Sequence, residues 1–183
     1  IHADTENDTI TATGGTNTID AGDGNDTIRL NNGANTVLAG LGADTITATS
    51  GTNTIDAGDG ADTISLNGGS NTMSAGSGND TITASGGTNT IATDSGDNTV
   101  VLYGGTNSVT ASTGNDTLTA NSGTNTIDAG DGLDLITLND GTNKVFGRSG
   151  TDSITANGGT NVIDAGADND TITANNGSNT IVA

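Results

Sequence analysis

The chain has 183 residues, a net charge of −19, three basic residues and no Cys, Pro or Trp. Leu, Ile, Val and Phe make up less than a fifth of it, and with so high a charge that is the composition of a disordered chain unless something offsets its entropy and self-repulsion. The balance argues against nucleic acid as a partner, no apolar run reaches the ~20 residues of a membrane span, and Ile1-His2-Ala3 opens no secretory-leader pattern.

A strict repeat contradicts disorder. From Ala3 to Val182 the sequence divides into twenty nonapeptides, in ten pairs, with no insertion or deletion. Ala21-Gly-Asp-Gly-Asn-Asp-Thr-Ile-Arg29 is one member of a pair and Leu30-Asn-Asn-Gly-Ala-Asn-Thr-Val-Leu38 the other. Position 8 is apolar throughout, position 7 is nearly always Thr and position 4 is usually Gly. A fixed short period without linker or change of composition predicts one solenoid domain over residues 1–183.

Taken in order, each nonapeptide predicts a turn over positions 1 to 6 and a short strand over positions 7 to 9. Gly at position 4 permits backbone conformations that a Cβ obstructs. In the strand, Thr and position 9 face out and the position-8 residue faces in. Two nonapeptides make one 18-residue coil, so the prediction is an all-β parallel β-solenoid, or β-roll, of about ten coils with two parallel sheets. At ~4.8 Å per coil the rod is about 48 Å long. One sheet carries Ile10, Ile28, Ile46 and their equivalents to Ile172 inward, and the other carries Ile19, Val37, Ile55 and their equivalents to Ile181. A 36-residue period overlies this: Ala12, Ala48 and Ala84 precede Ile19, Ile55 and Ile91, whereas Leu30, Leu66 and Leu102 precede Val37, Met73 and Val109. Close packing explains the exchange, because bulk added at one inward position must be removed nearby.

Position 6 alternates. One member of each pair has Asp8, Asp26, Asp44, Asp62, Asp80, Asp116, Asp134, Asp152 or Asp170, with a single break at Asn98, where Asp97 carries the acid one place early. The other has Asn17, Asn35, Asn53, Asn71, Asn89, Asn107, Asn125, Asn143, Asn161 and Asn179. Stacking puts the acids in a column at ~4.8 Å spacing, where they repel one another unless a cation lies between. Calcium takes six to eight oxygens from carboxylates and carbonyls, and Gly-rich turns expose carbonyls. The expected ligands are the column carboxylates with turn carbonyls around Gly22, Gly24, Gly40, Gly42, Gly58, Gly60, Gly76, Gly78, Gly130 and Gly132. About one Ca²⁺ per gap between coils on the Asp edge brings the −19 chain close to neutrality. A neutral amide supplies no such charge, so stacked Asn are expected to hydrogen-bond along their column, without a second metal row.

The Asp nonapeptides resemble the RTX family, whose consensus GGxGxDxUx is matched most closely at Ala21-Gly-Asp-Gly-Asn-Asp-Thr-Ile, Ala57-Gly-Asp-Gly-Ala-Asp-Thr-Ile and Ala75-Gly-Ser-Gly-Asn-Asp-Thr-Ile. The resemblance covers the whole chain in spacing and implies a calcium-binding parallel β-roll. A typical member carries Asp on both edges, and the Asn edge departs from that pattern. Extra acids cluster in alternate coils, as Asp20 with Asp23, Asp56 with Asp59 and Asp128 with Asp131. They read as a solvated stripe or as outer calcium ligands.

A non-enzymatic structural role in a secreted or cell-surface bacterial protein follows: surface layer, adhesin stalk or extracellular filament. One alternative is ice binding through outward Thr-x-Thr rows such as Thr9/Thr11, Thr45/Thr47 and Thr81/Thr83, which strand propensity alone also explains. Another is the appendage of an exported enzyme. His2 is the sole His and no nucleophile has a partner base, so catalysis within this chain is not expected. The Asn-Asp-Thr sequons at Asn7, Asn25, Asn79, Asn115 and Asn169 follow from the repeat. Tyr103 and Phe146 read as isolated surface residues. Because the sequence opens and closes mid-strand, end-to-end self-association or continuation into a longer solenoid is expected.

Overall fold

A computed structural model describes residues 1–183, and all its regular elements are β-strands. Every strand lies parallel to the one 18 residues ahead. In the first ladder Thr9–Ala12 lies beside Thr27–Leu30, with Thr9 opposite Thr27 and Ile10 opposite Ile28. In the second, Thr16–Asp23 lies beside Ala34–Leu41, with Asn17 opposite Asn35 and Ile19 opposite Val37. The chain is thus an all-β parallel solenoid of about ten 18-residue coils. The ladders are joined where Thr99–Thr113 and Thr117–Asp128 stay extended through both faces, pairing Tyr103 with Ser122.

Strand lengths differ from the expected division of the nonapeptide. On the Asp side they span four residues, Thr27–Leu30 for example, and take in position 1 of the next unit. On the Asn side they begin at position 5, as in Thr52–Asp59, and some run eight residues. At the start of these strands the register is held by side chains as well as by the main chain, as between Asn53 and Asn71.

Position 8 and position 1 both point inward. Ile28, Leu30 and Ala39 are fully buried and Val37 nearly so, and one cluster of 33 buried residues runs along the axis. The Leu30/Val37 and Ala48/Ile55 exchanges all fall within this cluster, so the 36-residue period is core packing. Each fully buried Ile contributes about 1.5–3 kcal/mol, which makes these columns the main apolar term in a chain poor in large side chains.

Non-Gly residues with positive φ mark three irregular places, one of them Asp168 at 83°. The register shifts between Ala92 and Ser95, where Asp94 has a left-handed φ of 59°. Arg148 also has positive φ, at 81°, and with Lys144 it brackets Phe146, the two cations lying 4.9 and 4.7 Å from the ring centre. Phe146 is therefore half-buried under two of the three basic residues rather than isolated, whereas Tyr103 is exposed. Sequence alone hides this because Lys144 and Phe146 share a strand face only once the strand exists.

Candidate metal centre

The Asp column is buried. Asp26, Asp44, Asp62, Asp80, Asp116, Asp134 and Asp152 are each about 1% exposed. The parallel register explains their shared environment. The backbone N–H of Asp8 donates to Asp26 Oδ1 at 2.7 Å, that of Asp26 donates to Asp44 Oδ1 at 2.7 Å, and the series ends with Asp152 donating to Asp170 Oδ1 at 3.0 Å. From Asp26 onward, each carboxylate therefore spends one oxygen on the coil before it. The other oxygen, Oδ2 of Asp8, Asp26, Asp44, Asp62, Asp80, Asp116, Asp134 and Asp152, is buried without a partner.

An unpaired buried carboxylate oxygen is costly, and the protonation equilibria respond. Burial pushes Asp134 up to about 7, and its neighbours Asp152, Asp116 and Asp131 push it in the same direction. Burial likewise raises Asp62 to about 6, with Asp44 and Asp80 adding to the effect. Asp44, Asp80, Asp116 and Asp152 are also raised, chiefly by burial, while the N–H bond to each partly opposes it.

The turns around the column explain their glycines. All ten named above adopt positive φ. A Cβ on Gly40 would stand 1.8 Å from the carbonyl oxygen of Gly22, and one on Gly60 would stand 1.8 Å from that of Gly42. Coils approach so closely at this edge that only hydrogen fits at these positions. Nowhere do three Asp, Glu or His side chains converge. A cation at this edge would take about one carboxylate per coil and fill its shell from carbonyls. That oxygen-only donor set suits a hard ion such as calcium, and the orphaned Oδ2 atoms are the unmet acceptors it would satisfy.

The opposite edge is chemically closed. Asn17 Nδ2 donates to Asn35 Oδ1 at 2.8 Å, and the pattern repeats to Asn161 and Asn179 at 2.8 Å. The second amide hydrogen goes to the carbonyl three residues back, as from Asn35 to Asn32 at 3.2 Å and from Asn89 to Gly86 at 2.9 Å. No buried amide atom there lacks a partner.

A third ladder has no counterpart in the sequence reading. Asn25 Oδ1 accepts from the N–H of Ala43 at 2.7 Å, Asn7 from Asn25 at 2.8 Å, Asn79 from Asp97 at 2.9 Å and Asn115 from Leu133 at 2.9 Å. The sequons thus contain residues that tie successive turns together. Their recurrence at position 5 was the available signal. The stripe acids lie outside the column: Asp59 accepts from Ser77 Oγ, Asp131 from Ser149 Oγ, Asp128 pairs with Arg148, and Asp20 lies 3.0 Å from His2.

Comparison with known proteins agrees with this geometry. No curated protein matches the sequence significantly. Among solved structures, a hyperactive, Ca²⁺-dependent, β-helical antifreeze protein from an Antarctic bacterium is similar in fold, with a TM-score of 0.56 and 19% identity over all of this chain and 78% of that one. The RTX calcium-binding nonapeptide repeat, in its four-copy form, matches residues 2–37, 29–64, 38–73, 65–100, 102–136, 119–154, 137–172 and 146–181. With matches over nearly its whole length and the repeat geometry described above, this calcium-binding solenoid belongs to the RTX nonapeptide repeat family.

Proposed function

We propose that the chain is a non-enzymatic structural rod of a secreted or cell-surface bacterial protein, made rigid by a single row of calcium ions. The ions lie along the Asp8 to Asp170 column, about one per gap between coils, with carbonyls of the glycine turns completing their shells. The observation that carries this reading is the row of buried, unpartnered Oδ2 atoms, set against an Asn edge whose amides are all satisfied. Surface layer, adhesin stalk and extracellular filament are the forms it takes. End-to-end self-association of the loaded rod belongs to the same reading, and light scattering over a concentration series tests it.

Calcium anomalous scattering tests the row directly: density is expected beside the Asp column and none beside Asn17 to Asn179. Circular dichroism tests its role. The metal-stripped chain should lose its β spectrum at neutral pH and regain it with calcium. A stripped chain that refolds fully in chelator removes calcium from the account.

A second reading rests on the first ladder's outer face. Thr9, Thr27, Thr45, Thr63, Thr81, Thr99 and Thr117 stand in one in-register row. The solved structure of similar fold is an antifreeze protein, which supports ice binding by such a face. Arg29, Val101 and Leu135 interrupt the paired outward positions and weigh against it. Thermal hysteresis by the calcium-loaded chain separates the two readings.

A further inference from the structure

The calcium row and the residues that break its pattern meet at one coil, residues 93–101. In each of the other nine coils the second of these two places is Asp, and in five of them the pair reads Asn-Asp, as in Asn79-Asp80 and Asn115-Asp116, but here the order is reversed to Asp97-Asn98. The backbone bonds tolerate the exchange. Asn98 Oδ1 accepts from the N–H of Asp80 at 2.9 Å, as a column Asp would, and the N–H of Asn98 donates to Asp116 Oδ1 at 2.8 Å. Asp97 Oδ1 accepts from the N–H of Asn115 at 2.7 Å, as Asn25 does from Ala43. Each residue takes over the acceptor bond of the other.

The remaining side-chain atom is what differs. Because Asn98 Oδ1 fills the place of a column Oδ1, its Nδ2 stands where the column has the orphaned Oδ2. That Nδ2 donates to the carbonyl of Gly96 at 2.9 Å. Gly96 is the turn glycine of this coil, equivalent to Gly24, Gly42 and Gly78. An amide hydrogen here satisfies the carbonyl that a cation would otherwise share with a carboxylate. Asn98 is 1% exposed and has no unpartnered atom, unlike the column Asp on either side of it. The rest of the turn is also altered. Thr93 replaces the usual Ala and Asp94 the usual Gly, and the strand register shifts beside them.

We propose that the calcium row is broken at Asn98. This coil closes its turn with an amide in place of a metal ion, and the break divides the column into a block of five carboxylates, Asp8 to Asp80, and a block of four, Asp116 to Asp170. The inference rests on the reading that the column holds calcium. Its consequence is a rod with two calcium-loaded segments joined by a seam whose local fold does not depend on the ion.

The test counts calcium on the full 183-residue chain by native mass spectrometry, with an anomalous map of the wild type beside it. Asp97→Asn combined with Asn98→Asp restores the usual order and keeps the net charge. The double variant should bind at least one more ion per chain than the wild type, and the wild-type map should show a gap beside Asn98. Equal stoichiometry, a wild-type peak beside Asn98, or a peak displaced onto Asp94 or Asp97 overturns the seam. If the variant fails to fold, the wild-type map decides alone. A wild type that binds no calcium refutes the column reading itself, whereas an uninterrupted row refutes only the seam.

Discussion

At the scale of the residue, the column Asp is a proton site, and on the proposed reading calcium competes for it. Asp62 is raised to about 6 and Asp134 to about 7, against 3.8 for an unperturbed Asp. The metal-free fold therefore holds protons at these groups that the unfolded chain has already released. Stability from this source is fully present below pH ~4 and is lost as pH rises through 6 to 7. Circular dichroism of the metal-stripped chain should show a β-fold at pH 4 that melts on titration to pH 8. Calcium affinity should rise over the same interval, with proton release on binding. A metal-free fold that strengthens as pH rises would contradict the shifts. A substitution makes the same point at fixed pH. Asn98 shows that an amide fits the column and donates to its own turn carbonyl. Asp134→Asn should therefore stabilise the metal-free chain at pH 7 by about 1–3 kcal/mol, the cost of an unsatisfied buried group, and destabilise the calcium-loaded one. The pH at which the metal-free fold is lost should move upward in this variant, and the thermal midpoint of the calcium-loaded chain should fall.

At the scale of the element, the two edges solve one problem with different atoms. A parallel coil must hold its turns in register, and main-chain bonds alone leave the turn side chains buried. The Asn edge uses a side-chain ladder that closes on itself. In Asn89→Ala, the amide of Asn71 loses its acceptor and Asn107 Oδ1 and the Gly86 carbonyl lose their donor. A cost of about 3 kcal/mol is expected, with the calcium count unchanged, and denaturant melts beside native mass spectrometry check both parts. The Asp/Asn alternation at position 6 and the apolar period at position 8 were legible in the sequence, because each depends only on spacing. The early start of the Asn-side strands was not, since it goes with bonds between residues 18 apart, such as Asn53 to Asn71. Nor was the role of Asn25, whose side chain serves the main chain of the next coil. Which oxygen of each carboxylate is free, and that Asn98 has no unpartnered side-chain atom, became visible only with the direction of the backbone donors.

At the scale of the whole molecule, the proposed reading gives charge and coordination as separate reasons for the chain to take up calcium. The net charge of −19 repels itself along the rod, and divalent ions reduce it. The buried Oδ2 atoms need partners whatever the net charge. Monovalent salt separates the two effects. At 1 M the Debye length is about 3 Å, short enough to screen exposed acids such as Asp23, Asp59 and Asp131 from one another. Salt supplies no multidentate ligand shell to a buried oxygen, and it leaves the desolvation of the column unchanged. The metal-stripped chain at pH 7 should therefore stay unfolded in 1 M potassium chloride, with the expanded dimensions of a coil, about 45 Å in radius of gyration. Calcium at millimolar concentration in the same salt should restore a rod about 48 Å long. Small-angle scattering reads the two states directly. A chain that folds in potassium chloride alone would show that repulsion, rather than the unpartnered carboxylates, is what calcium relieves.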